Sequence, residues 1–215
     1  MQIKENLQNI LAAIPENVNL IAVSKTKPVP DIMEAYNAGQ RIFGENKIQE
    51  MAEKHTLLPK DIQWHMIGHL QRNKVKYIAP FINLIHGVDN IKLLKEINKQ
   101  GKKNDRIIDC LIQVKISFEE SKFGLDYKQA NEWLTTDLLI DFKNIRITGF
   151  MGMASNTNNE LKLIEEFSTL NSFFNKHQNT NIKILSMGMS NDYLLAIKNG
   201  SNMIRVGSNI FGARK

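Results

Sequence analysis

The chain has 215 residues, 42% of them hydrophobic and 23% charged, with a formal net charge of +6. No apolar run reaches the roughly 18–20 residues of a membrane span, and the opening "MQIKENLQNILAAIPENV" is too polar and too mixed in charge for a secretory signal, so a cytoplasmic protein is expected. The single cysteine, Cys110, excludes an internal disulfide, and the basic excess is scattered through short groups such as "KVK" and "GKKNDR", which argues against nucleic acid as a partner.

A helical stretch, "IKENLQNILAAI", comes first, ahead of the strand candidate "NLIAVSK". The chain then alternates. Helix "PDIMEAYNAG" is followed by strand "RIFGEN", helix "KIQEMAEKHTLL" by strand "IQWHMIG", and helix "LQRNKVKYIAPF" by strand "NLIHGVD". Helix "NIKLLKEINKQGKK" leads to strand "IIDCLIQVKI", and "YKQANEWLTTDLL" to "IRITGFMGM". Last come helix "NELKLIEEFSTLNSFFNKH", strand "KILSMG", helix "NDYLLAIKNGS" and strand "MIRVGS". Pro30 near a helix start and Gly39 past its end follow the usual asymmetry of helix termini. Leu163, Phe167, Leu170 and Phe174 fall on one apolar stripe of a helix.

Strand–helix alternation argues for a parallel sheet, because parallel neighbours need a crossover. Eight such units, with no linker-like or repeated segment over residues 1–215, predict one domain: a compact (β/α)8 TIM-type barrel with an extra N-terminal helix. An open doubly wound sheet is the alternative. A barrel gathers its chemistry at the C-terminal ends of the strands.

The strand ends carry polar groups: Ser24 and Lys25; Glu45 and Asn46; His65 and His69; His86 and Asp89; Ser190; and Arg205, Gly207 and Ser208. Alternation puts Lys25 and Lys27 on one side of the first strand, with only Lys25 still inside its end. Lys27 precedes Pro28, which favours extended or turn geometry, and reads as a solvated charge on the rim. "SMGMSNDYLL" is strand, glycine turn, serine and helix, and "RVGSNIFG" supplies a second Gly-Ser turn; together they suit an anion. Ser190 and Asp192 acting only as helix caps is the plainer alternative. In a closed barrel these turns neighbour the first strand. A lysine there, near other cations and partly desolvated, becomes an amine able to condense with an aldehyde. A phosphorylated aldehyde held at both ends describes pyridoxal 5'-phosphate (PLP).

The segments "AVSKTKP", "AGQRIFGENKIQE", "WHMIGHLQRNK", "SKFGL", "GFMGMAS" and "SMGMSNDYLLAIKNGSNMIRVGSNIFGAR" resemble the YggS/PROSC family of PLP homeostasis proteins over nearly the whole chain. The resemblance implies a barrel like the N-terminal domain of alanine racemase. It implies that Lys25 forms the Schiff base, that Ser190, Gly207 and Ser208 hold the phosphate, and that Arg205 faces the pyridine nitrogen, with Asn46 near the ring or its hydroxyl. Family members often carry threonine where this chain has Ser208, and the hydroxyl is kept. The implied role is intracellular PLP (vitamin B6) homeostasis, as a monomeric carrier or buffer that serves PLP-dependent apo-enzymes. The chain stops at "FGARK", so the second domain of the racemases is not expected. The alternatives are a PLP-dependent racemase or lyase using His65 or His69 as a proton shuttle, and a Schiff-base aldolase.

Overall fold

The computed structural model describes residues 2–117, 119 and 122–213, so Ser121 of "SKFGL" and the last two residues of "FGARK" lie outside the description. Its sheet is a closed, parallel barrel with strands in the order β1 to β8. The strands are β1 (Asn19–Val23), β2 (Ile42–Glu45), β3 (Gln63–Met66), β4 (Leu84–Val88), β5 (Ile108–Val114), β6 (Ile145–Gly152), β7 (Ile184–Ser186) and β8 (Met203–Val206). Each lies inside an expected run. The ring closes through β1 and β8, with Ile21 beside Arg205 and Ala22 beside Val206.

The helices are α1 (Gln2–Ala13), α2 (Val29–Asn37), α3 (Ile48–Leu57), α4 (Val75–Ile78), α5 (Ile91–Lys103), α6 (Tyr127–Thr135), α7 (Glu160–His177), α8 (Tyr193–Lys198) and α9 (Ser208–Phe211). Helix α1 precedes the barrel, as expected. The stripe Leu163, Phe167, Leu170 and Phe174 is buried on α7. The helix expected over "LQRNKVKYIAPF" is reduced to a 3-10 turn, Arg72–Lys74, and the single turn α4. Only Val75 and Ile78 of those two elements are buried, which is too little apolar surface to hold a longer helix. The one-turn α9 begins at Ser208, the last residue of the run read as the final strand, and takes up residues read only as a Gly-Ser turn.

Side chains alternate in and out along each strand. The outward set, including Phe43, Trp64, Phe150 and Leu185, packs under the helices. The inward set begins as a dry plug of Ile21, Leu84, Leu111, Met151 and Met203. Two residues further along the chain it becomes Val23, His86, Gln113, Arg205 and, just past the end of β6, Met153. Layers of this kind fill a closed barrel, and the polar one lies toward the C-terminal mouth.

Candidate functional site

At that mouth is a cavity of about 1190 Å³, lined among others by Lys25, Asn46, Ser190, Arg205, Gly207 and Ser208. All six residues singled out in the sequence therefore share one space. Among the described residues, no group of three or more His, Cys, Asp or Glu side chains could hold a metal ion. Cys110 is buried, and burial raises its thiol pKa, as an inert core cysteine requires.

Lys25 is not in the strand, which ends at Val23; it sits in the turn that follows. Lys27 is not a solvated rim charge either. Its ammonium donates to the carbonyls of Phe211 (2.8 Å), Gly212 (3.2 Å) and Ala213 (3.2 Å). Both lysines line the cavity, and Lys27 also ties the turn after β1 to the end of α9.

The turns after the neighbouring strands β7 and β8 are joined directly. Gly188, at φ +91°, makes the first possible, since a Cβ there would stand 2.7 Å from the Ala196 side chain. The Ser190 hydroxyl accepts from the Gly207 N–H (3.2 Å), and Asn209 Nδ2 donates to the Ser190 carbonyl (2.9 Å). Ser190 therefore joins two turns instead of capping a helix. Asp192 closes its own turn by accepting from the Met189 N–H (2.5 Å). The amide N–H groups of Ser190, Asn191, Ser208 and Asn209 enter no hydrogen bond among the described residues, and all four residues line the cavity. Unpaired amides gathered in two joined turns suit an anion.

Arg205 is 4% exposed. Its Nη1 donates to the carbonyl (2.9 Å) and hydroxyl (2.5 Å) of Ser186, and its Nη2 donates to the Gly152 carbonyl (3.0 Å). The fork carries more N–H groups than these contacts use. Burial lowers its pKa to about 10, so it is a cation at neutral pH.

Behind Arg205 runs a chain the sequence did not reveal as connected. Ser186 Oγ lies 3.2 Å from His86 Nδ1, and His86 Nε2 lies 3.1 Å from His65 Nδ1. A guanidinium only donates, so Ser186 Oγ accepts from it, and His86 Nδ1 is the acceptor left for the serine's own proton. That assigns the proton of His86 to Nε2 and, one step on, that of His65 to its Nε2. Gln113 is a further buried polar group on the wall, with Nε2 donating to the Phe123 carbonyl (2.9 Å). Its sequence signal was its parity with inward Leu111 inside an apolar run. At the rim, His69 stacks on Phe123 with ring centroids 4.4 Å apart.

The alanine racemase N-terminal domain model matches residues 1–215. A pyridoxal phosphate homeostasis protein of Schizosaccharomyces pombe is 44% identical over 203 residues, covering 92% of this chain and 85% of the relative. The chain belongs to the pyridoxal phosphate homeostasis family. Among solved family structures, PipY of Synechococcus elongatus PCC7942 without PLP is 35% identical, with a TM-score of 0.91 over 98% of this chain and 100% of that one. The same protein with PLP bound gives 33% and 0.88, with the same coverage. Barrel closure and strand order are thus family properties, and they set β1, β7 and β8 around one mouth.

Proposed function

We propose that this protein holds PLP as a Schiff base on Lys25 and takes part in intracellular vitamin B6 homeostasis as a carrier and buffer, not as a catalyst. The observation that carries the reading is a single cavity with Lys25 on one wall and the unpaired amides of the turns after β7 and β8 on another. These groups fit the two ends of PLP. The amine suits the aldehyde; Ser190, Gly207 and Ser208, with their neighbouring amides, suit the phosphate. Arg205 suits the pyridine nitrogen, and Asn46 the ring or its hydroxyl. The homologue solved with PLP supports the ligand class.

When bound, PLP supplies a reactive aldehyde and a potential electron sink. A buried cation opposite the pyridine nitrogen disfavours the protonated ring, which weakens that sink, so Arg205 supports the carrier reading. His65, whose pKa burial lowers to about 3, stays neutral within the buried chain and is a poor proton shuttle. His69 lines the cavity and keeps a racemase or lyase as the second reading. We read the chain as one domain and as a monomer in the cytoplasm that hands PLP to PLP-dependent apo-enzymes. Among the described residues, no helix is long and apolar enough to cross a membrane.

Incubation of the PLP-loaded protein with amino acids in deuterated water separates the readings. The carrier reading expects Cα-proton exchange no faster than with free PLP. Exchange at enzyme-like rates that is lost in His69→Ala establishes the racemase or lyase instead.

A further inference from the structure

Both peptide groups flanking Lys25 are held from helix α3. The carbonyl of Ser24, which leads into Lys25, accepts from Lys54 Nζ at 2.8 Å. The N–H of Thr26, which leads out of it, donates to Glu50 Oε1 at 2.6 Å. Glu50 and Lys54 lie one helical turn apart and pair with each other at 2.7 Å. The same ammonium donates to Glu45 Oε1 at 2.8 Å, and that oxygen also accepts from the Ser24 hydroxyl at 2.7 Å. The three ammonium protons of Lys54 thus match three acceptors, the Ser24 carbonyl and the Glu45 and Glu50 carboxylates.

Two features make this more than a stabilising cluster. A buried ion pair is weak evidence for stability, because desolvation offsets most of its attraction; what it supplies is fixed geometry. Lys54 is 5% exposed and Glu45 is fully buried, yet Lys54 reaches the Ser24 carbonyl and Glu45 the Ser24 hydroxyl, both on the residue before Lys25. That backbone is also strained: Thr26 sits at φ +64°, where a β-branched residue is disfavoured. Without a hold on either side the turn would relax, and Lys25 would move with it.

We propose that Glu50 and Lys54 are positioning residues that clamp the Ser24–Thr26 turn and aim the Lys25 amine into the mouth. The inference rests on the reading of Lys25 as the PLP-binding lysine. In the step concerned, the Nζ of Lys25 forms a C=N bond to the aldehyde carbon while the C=O bond breaks. The aldehyde oxygen leaves as water with the two protons of the neutral amine.

The test compares two ligands on the full-length apo-protein. PLP reports capture at Lys25; pyridoxine 5'-phosphate, which has an alcohol in place of the aldehyde, reports the phosphate and ring contacts alone. Glu50 is the more exposed end of the clamp, and its removal leaves Lys54 still paired with Glu45, so Glu50→Ala is expected to fold. Schiff-base formation followed by absorbance should slow at least about tenfold, within the roughly hundredfold that an ångström of misplacement costs. Affinity for pyridoxine 5'-phosphate should be unchanged, and Glu50→Gln, which keeps an acceptor for the Thr26 N–H, should recover most of the rate. A rate unchanged in Glu50→Ala, or both ligands weakened in parallel, overturns the clamp. Lys25→Ala is the separate control: adduct formation at the native rate in that variant defeats the Lys25 reading itself.

Discussion

Burying a cation such as Arg205 in a barrel wall demands that the groups around it be fixed, because an uncompensated buried charge costs several kcal/mol. Ser186 meets that demand, and the histidines behind it hold Ser186. Burial lowers the pKa of His65 to about 3; burial, His65 and the Arg205 charge together hold His86 well below its usual range. In the unfolded chain each histidine takes up a proton near pH 6.5, the ordinary imidazole value. Between those pH values the unfolded state binds more protons, so stability rises with pH and is lost as pH falls from about 6.5 toward about 3. Each histidine contributes at most about 1.4 kcal/mol per pH unit in its window. Glu45, which burial pushes up against the pull of Lys54, acts in the opposite sense. The urea midpoint should therefore fall between about pH 7 and pH 5, and His65→Leu should flatten the slope. A midpoint that does not move over that range contradicts the neutral buried chain. None of this chain was legible in the sequence, since its members come from β3, β4, β7 and β8 and meet only when the barrel closes.

The elements were legible in proportion to the apolar surface they bury. All eight strands and the long helices carry runs or stripes that only a core explains, and α7 shows the logic most plainly. Phe167, at the centre of its stripe, is fully buried, and Phe167→Ala should cost about 3–5 kcal/mol in urea unfolding. A loss well under 1 kcal/mol would show that the α7 contact is not part of the cooperative core. Short elements were misjudged, because a single turn such as α9 or α4 buries only two side chains. The turns after β7 and β8 are a middle case. Their glycines and serines were visible, but not the bond from the Gly207 N–H to Ser190. Ser190→Ala removes that acceptor and one hydroxyl facing the cavity. PLP retention, measured by equilibrium dialysis, should weaken by a few-fold to about tenfold, the range of one hydrogen bond, with the absorbance spectrum nearly unchanged. Unaltered retention would remove Ser190 from the phosphate site.

For the whole molecule, closure of the ring is the decisive fact. An open sheet could leave β1 and β8 at opposite edges; here Ala22 pairs with Val206, and the first turn faces the last. Six residues spread from Lys25 to Ser208 come to line one mouth for that reason. Closure also ties Lys27 to the backbone carbonyls after β8, a contact across almost the full chain. Both lysines of "SKTK" line the cavity, and with Lys27 held by those carbonyls Lys25 is the one read as the Schiff-base lysine. The most direct test is to load the protein with PLP, reduce it with borohydride and locate the adduct by peptide mass mapping. The predicted result is one stoichiometric pyridoxyl group on Lys25, absent from Lys25→Ala; a principal adduct on Lys27 or another lysine, or one that persists at full yield in Lys25→Ala, contradicts the account.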